Sequence, residues 1–250
     1  GKPFELFFIG LIYSSVAMFM SLWIFKEQAS LVMVFLTVVA AIPLVYNTMK
    51  YEEKKDKIIK RELPLLKEHS KAISFFMFLF LGILVSYSIW FIFLPPDITQ
   101  ATFNTQLNTI QSINSRITSG TVTYAVSPSE LLGRIFSNNI KVMIFVFLFS
   151  FFYGAGAIFI LTWNASVIAA AVGTFVRNNI SLYANTIGLA KVGGYFHIVS
   201  LGLFRYMIHG IPEIVGYFIA ALAGGIISVA VIRHDLAGKN FKRIISDSFI

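Results

Sequence analysis

The chain has 250 residues, of which 57% are hydrophobic and 13% are charged, and its formal net charge is +8. A soluble domain carries roughly 25% charged residues, so the composition excludes a soluble protein with a single anchor and indicates a polytopic membrane protein. Because the chain has no cysteine, disulfides, thiolate catalysis and cysteine-based zinc or iron–sulfur sites are excluded.

Residues 1–49 are predicted to form an N-terminal transmembrane hairpin. Residues 6–25 carry no charge and are long enough to cross ~30 Å of hydrocarbon, and residues 26–28 form a tight polar turn. Residues 29–49 are a second span, in which Pro43 is expected to cause a kink.

Residues 50–71 are the strongest signal of orientation, because this short loop holds eight basic residues against five acidic ones. The positive-inside rule places such a loop in the cytoplasm. The pair Glu53 and Lys57, four residues apart, predicts that the second span continues there as a solvated helix. The expected partners are anionic lipid headgroups or a docked protein. Nucleic acid is excluded as a partner, because no basic run alternates with aromatic residues in a polar domain.

Residues 72–94 are predicted to be the third span, running outward to the stop at Pro95 and Pro96. Residues 95–137 follow as the only sizeable polar part. Their apolar positions recur at roughly helical spacing among Asn, Gln, Thr and Ser, which predicts an external amphipathic helical cap. Its apolar face would cover the bundle or offer a surface to a partner.

Residues 138–233 are predicted to form a membrane core that contains one broken span. Residues 142–176 are thirty-five residues without charge, too long for one ordinary span. We expect a break at Thr162-Trp163-Asn164. Residues 142–161 would then span inward, and Asn164 would cap a re-entrant half-helix over residues 165–176.

Counting crossings supports this topology, because the basic tail 234–250 is expected inside. Residues 177–194 become an inner connection, residues 195–208 run outward and residues 214–232 return. The predicted fold is an all-α transmembrane bundle of about six spans, with one half-helix and a small external helical segment. The protein is expected to be a multi-pass protein of the cell membrane with both termini cytoplasmic.

A polar stripe crosses the last apolar region at His197, Arg205, His209 and Glu213. Ionisable groups at membrane depth need partners or water. The stripe is either an ion-paired lock or the lining of an ion path or lipid-binding cavity. A metal site is disfavoured, because His209 and Glu213 supply only two ligands. Counting crossings also predicts that Pro212 lies at a turn near the outer leaflet, with Glu213 in the first turn of the returning helix.

Other candidate sites are polar or small residues at helix ends and interfaces. The N-terminus of a half-helix at Asn164 presents free N–H groups and could bind an anionic ligand, or Asn164 is a simple cap. Small residues predict close helix packing within the chain or across a homodimer, and these residues are Gly154, Gly156, Gly216, Ala220, Gly224 and Ser228.

The second half of the chain carries a distinctive series of motifs: IFSNN at 135–139, Gly154 and Gly156, Asn164, Gly173, and HGIPE at 209–213 followed by a helix rich in small residues. Over residues 130–233 this series resembles the stage II sporulation protein M family of integral membrane proteins. The first two spans and the charged loop look like those of archaeal-type members. The resemblance implies no enzymatic activity, and bacterial members look like anchors that gather cell-wall hydrolases during engulfment.

The leading hypothesis is therefore a non-enzymatic membrane scaffold that gathers protein partners and needs no cofactor. The alternative is a transporter or channel for a small ion or anionic solute, using Asn164 and the polar stripe. An intramembrane hydrolase is the least favoured, because Ser200 near His197 is too generic to indicate a nucleophile.

Overall fold

The computed structural model describes residues 3–58, 62–123, 128–150, 155–180, 187 and 189–232. Within these residues the chain is helical, apart from short connections. The helices are α1 (Pro3–Ile24), α2 (Ala29–Ile58), α3 (Glu62–Phe93), α4 (Pro96–Thr123), α5 (Pro128–Ser150), α6 (Ala155–Ile180) and α7 (Leu189–Ile232), with a 3-10 turn at Lys26–Gln28.

Four helices in the described part of the chain are long and apolar enough to cross a membrane. These segments are Phe4–Ile24, Lys26–Lys55, Lys67–Phe93 and Ile158–Ile180. Asn139–Phe149 in α5 and Glu213–Ile227 in α7 are shorter apolar helices. The all-helical class is therefore confirmed, whereas the count of about six spans stays a prediction.

The first three helices form the part of the bundle that the sequence predicts best. Helix α2 continues through Pro43 and extends into the charged loop as far as Ile58. Helix α3 begins at Glu62, with Pro64 in its first turn, where proline needs no hydrogen-bond partner. Helices α2 and α3 are antiparallel, since Thr37 bonds Tyr87 at 2.8 Å near one end and Glu52 bonds His69 at 3.0 Å near the other.

The bundle therefore has two distinct ends. The basic end carries residues 50–58 of α2 and 62–71 of α3. The turn end carries residues 26–28 and 94–97. Helix α1 is parallel to α3, because Phe4 packs on Phe78 and Phe19 packs on Trp90, so Pro3 lies toward the basic end.

Helix α6 ends at the turn end, which corrects the predicted topology. Arg177 Nη2 donates to Ile92 O at 3.2 Å, to Thr99 Oγ1 at 3.1 Å and to Leu94 O. We predicted Arg177 on the same side as the basic loop, but these bonds place it at the opposite end. The expectation failed because the count of crossings assumed a break at residues 162–164, whereas α6 is continuous from Ala155 to Ile180.

Helix α7 runs back from the turn end to the basic end. Near its start, a Cβ on Gly202 would lie 3.0 Å from Phe175 of α6. Near its end, Gly225 packs directly against the Met49 side chain of α2. The N-terminal end of α1 and the C-terminal end of α7 thus both lie on the side of the basic loop. The tail 234–250 lies outside the described residues.

This arrangement predicts the result of a labelling experiment. Cysteines introduced at Asp97 and Asn178 should react with a membrane-impermeant maleimide from one side, and a cysteine at Lys54 from the other. All three side chains are exposed, and the chain has no cysteine of its own to react. Labelling of Asn178→Cys together with Lys54→Cys would contradict the placement of α6.

Candidate functional site

The predicted polar stripe lies on one long helix, because α7 continues from Leu189 to Ile232. The HGIPE element at 209–213 is inside this helix, so the predicted turn at Pro212 is wrong, and Glu213 does not begin a helix. Sixteen residues at ~1.5 Å each put His197 ~24 Å from Glu213 along the axis. The His197 side chain is exposed, and it does not belong to a cluster with Glu213.

Glu213 lies in a polar contact between α7 and α5. The Tyr217 hydroxyl donates to Glu213 Oε1 and lies 3.5 Å from Asn139 Oδ1. Tyr217 is 3% exposed, so the contact is largely shielded from solvent. Asn139 comes from the IFSNN segment and Glu213 from HGIPE. The structure thus brings together two of the motifs that carried the family resemblance.

Tyr217 is the residue that the sequence analysis missed in this cluster. It is four residues after Glu213, which is the spacing of neighbours on one helix face, so the signal was present. The side chains of Arg205 and His209 lie outside the described residues, and their predicted hydrogen bonds to Glu213 stay predictions.

Asn164 does not cap a half-helix, because α6 is continuous from Ala155 to Ile180. Its Nδ2 donates to Ile160 O at 2.9 Å, one turn earlier in the same helix. The predicted break at Thr162-Trp163-Asn164 is therefore wrong, and so is the predicted span over residues 142–161. The described part of α5 instead reaches Ser150 and that of α6 starts at Ala155. A helix interior offers no free N–H groups for an anion at Asn164.

A buried polar layer joins α2, α4 and α6 near the turn end, and the sequence analysis did not predict it. Gln106 Nε2 donates to Ser30 O and to Ser166 Oγ, both at 3.1 Å. The hydroxyls of Ser30 and Thr105 are 2.6 Å apart. Gln106 is fully buried, and so is Phe103 one turn before it, so α4 packs polar as well as the expected apolar side chains into the bundle.

The polar groups at the basic end form a linked set of charges between α2 and α3. Glu52 accepts from Lys55 at 2.8 Å and from His69 Nδ1 at 3.0 Å. Lys55 also reaches Glu68 at 3.0 Å. Glu52 is 3% exposed and the neighbouring Glu53 is fully buried, although the sequence indicated a solvated helix here. Exposed pairs contribute little stability, but a partly buried network can hold two helices in register.

The predicted small residues lie in different surroundings. Gly156 packs closely on Phe149, where α5 meets α6, and Ala220 and Gly224 are buried within the chain. A Cβ on Gly216 would have no neighbour within 4 Å, so this position faces open space. Gly154 and the Ser228 side chain lie outside the described residues. A homodimer along this stripe stays a prediction.

One cavity of about 620 Å³ lies between α2, α5 and α6. Its lining is apolar and includes Val38, Ile42, Phe145 and Phe159. Neither Asn164 nor Glu213 lines it. Among the described residues no group of three or more His, Asp or Glu side chains is placed to hold a metal ion.

Several of the described polar side chains therefore join one helix to another. Comparison with known proteins finds that a family model described as stage II sporulation protein M matches residues 72–249. No curated protein matches the chain, and no solved structure matches it.

Proposed function

Because the chain belongs to the stage II sporulation protein M family, we propose that it is a non-enzymatic integral membrane protein that acts as a scaffold and gathers protein partners. The matched range begins in α3 and leaves all of α1 and α2 outside it. The proposal places the protein in the cell membrane, with the basic end in the cytoplasm.

The observation that carries the proposal is the use of polar side chains as links between membrane helices. Trp90 Nε1 of α3 donates to Ser15 Oγ of α1 at 2.9 Å, and the Ser15 hydroxyl is also 2.9 Å from that of Ser86. Tyr87 bonds Thr37 of α2, and Tyr217 links α7 to α5. Such bonds hold the helices to one another, which supports the proposal that the bundle is a scaffold.

The basic end offers the docking surface that a scaffold needs. Here α2 and α3 continue beyond their apolar segments as a charged hairpin held by the Glu52, Lys55 and Glu68 pairs. Tyr51 is 62% exposed and Ile58 is 67% exposed, beside exposed lysines. An exposed aromatic and an aliphatic side chain within a basic surface fit a partner with an acidic rim and apolar centre. Anionic headgroups fit the lysines alone.

Photocrosslinking in cells tests this surface. A photoreactive residue at Tyr51 or Ile58 should give discrete protein adducts, whereas one at Phe35, which is 57% exposed on the apolar part of α2, should give lipid adducts only. Reversing the charge of the exposed Lys50 and Lys54 should remove the protein adducts. Lipid adducts alone at Tyr51 and Ile58 would contradict a scaffold that docks partners here.

The buried polar layer around Gln106 favours a transporter as the second candidate, since polar groups at membrane depth mark solute paths in many membrane proteins. This function requires flux of an ion or small solute through liposomes that contain the purified protein. It also requires that Gln106→Leu or Glu213→Gln change that flux. If liposomes that contain the protein show no more flux than protein-free liposomes, the scaffold remains the proposed function.

A further inference from the structure

Two buried oxygen atoms, one on α4 and one on α6, have no hydrogen-bond partner in the part of the chain that the structure describes. They are Gln106 Oε1 and Thr162 Oγ1. Both residues are fully buried. Such groups are rare in folded proteins, because each unsatisfied polar atom is costly, and a bound water or ion often accounts for them.

The orientation of the Gln106 amide is fixed by its neighbours. Nε2 donates to the Ser30 carbonyl at 3.1 Å, so a flipped amide would turn its oxygen toward another acceptor. Ser166 Oγ cannot serve Oε1 as a donor, since it already donates to Trp163 O at 2.7 Å. Gln106 Oε1 therefore needs a donor from outside these side chains.

Thr162 is on the same face of α6 as Ser166, one turn earlier. Because Gln106 Nε2 contacts Ser166 Oγ at 3.1 Å, this face of α6 is directed toward Gln106, and Thr162 lies one turn from that contact. A hydroxyl both donates and accepts, and an amide oxygen only accepts. A ligand that donates to Gln106 Oε1 and exchanges a hydrogen bond with Thr162 Oγ1 matches both groups.

Helix α4 is kinked close to Gln106. Phe103, three residues before Gln106, has the non-helical angles φ −117° and ψ 18°. The Thr102 hydroxyl donates to Ile98 O at 2.7 Å, and a bond of this kind to the preceding turn often bends a helix. The kink therefore has a cause in α4 itself, and the two unsatisfied oxygens carry the inference.

We propose that an ordered water molecule binds between α4 and α6, donating to Gln106 Oε1 and hydrogen-bonded to Thr162 Oγ1. A metal cation fits less well, because hard cations take six or more oxygen ligands that include carboxylates. The described groups here are neutral amides and hydroxyls. The water ties the polar helix α4 to α6 inside the bundle.

The direction in which one substitution shifts the unfolding midpoint tests whether the water is bound. Thr162→Val keeps the shape of the side chain and removes the hydroxyl. If the hydroxyl holds a water, the variant should lower the unfolding midpoint of the purified protein in detergent by about 2–4 °C. If the hydroxyl is unsatisfied, the same variant raises the midpoint. Thr162→Ser, the matched control, keeps the hydroxyl and should unfold close to the unmodified protein.

An experimental density map that shows ordered water provides the direct measurement. We expect one peak within about 3.2 Å of both oxygens. The proposal is overturned if Thr162→Val leaves the midpoint unchanged or raises it, if Thr162→Ser lowers it as far as Thr162→Val does, or if the map has no peak between these two atoms.

Discussion

Replacing Gly82 with alanine is expected to loosen the crossing of α1 over α3 and to lower the stability of the whole bundle. A Cβ on Gly82 would overlap the Phe7 carbonyl oxygen and lie 2.9 Å from the carbonyl carbon of the same residue. On the other side of the crossing, a Cβ on Gly10 would overlap the Leu79 carbonyl oxygen. Both obstacles are backbone atoms, so no side chain can move aside.

The expected cost of Gly82→Ala is about 1–3 kcal/mol of overpacking, which outweighs the ~0.5–1 kcal/mol that alanine gains over glycine in a helix interior. Gly82→Val should be worse, because its larger side chain meets the same backbone. The measurement is the unfolding midpoint of the purified protein in detergent. We expect a fall of several degrees for alanine and a larger fall for valine.

Gly193→Ala is the matched control, since a Cβ on Gly193 in α7 meets nothing within 4 Å. It should leave the midpoint unchanged or raise it slightly, because alanine is the better helix former. A Gly82→Ala protein as stable as the Gly193→Ala protein would show that the two helices do not touch through their backbones.

The sequence predicts the helices best where length alone decides. Twenty uncharged residues followed by a polar turn can only be a span and its end, and α1 and α2 follow that pattern. The family resemblance was also readable, because its motifs are spaced along one half of the chain, and the match over residues 72–249 confirms it.

The sequence fails where a polar residue finds its partner on a distant helix. Asn164 interrupts an apolar run and therefore predicts a break, yet its side chain bonds Ile160 O of its own helix. Its neighbour Ser166 bonds Gln106, sixty residues earlier in the chain. Nothing in the sequence distinguishes Gln106 from the exposed polar residues of α4. The polarity of the neighbouring helix decides which face of an amphipathic helix is buried. The sequence of one helix does not identify that neighbour.

The N-terminal hairpin shows how the part of the chain outside the family match joins the part inside it. Helix α1 lies wholly before residue 72, and the glycines of its crossing with α3 come from both parts. Ser15 of α1 bonds Ser86 and Trp90 of α3 across the same interface. A stability effect at Gly82 therefore measures how firmly the hairpin is attached to the matched region.

Replacing Arg177 with methionine is expected to separate α6 from the end of α3. The guanidinium donates to two carbonyls at the end of α3 and to Thr99 Oγ1 at the start of α4, and it lies 5.5 Å from the centre of the Phe91 ring. A cation at a helix C-terminus is favourable, and hydrogen bonds from a charged donor contribute about 1.5–3 kcal/mol each. Because the bonds share one group, we expect a total loss of about 2–4 kcal/mol in the free energy of unfolding.

Arg177→Lys should recover only part of this loss, since an ammonium keeps the charge but lacks the planar guanidinium that lies 5.5 Å from the centre of the Phe91 ring. Asn178→Ala is the neighbouring control on the exposed face of α6 and should leave the unfolding midpoint unchanged. A double-mutant cycle with Thr99→Val should show coupling to Arg177, because the two side chains contact each other at 3.1 Å. If Arg177→Met unfolds at the same midpoint as Asn178→Ala and shows no coupling to Thr99, this arginine does not hold the corner between α3, α4 and α6.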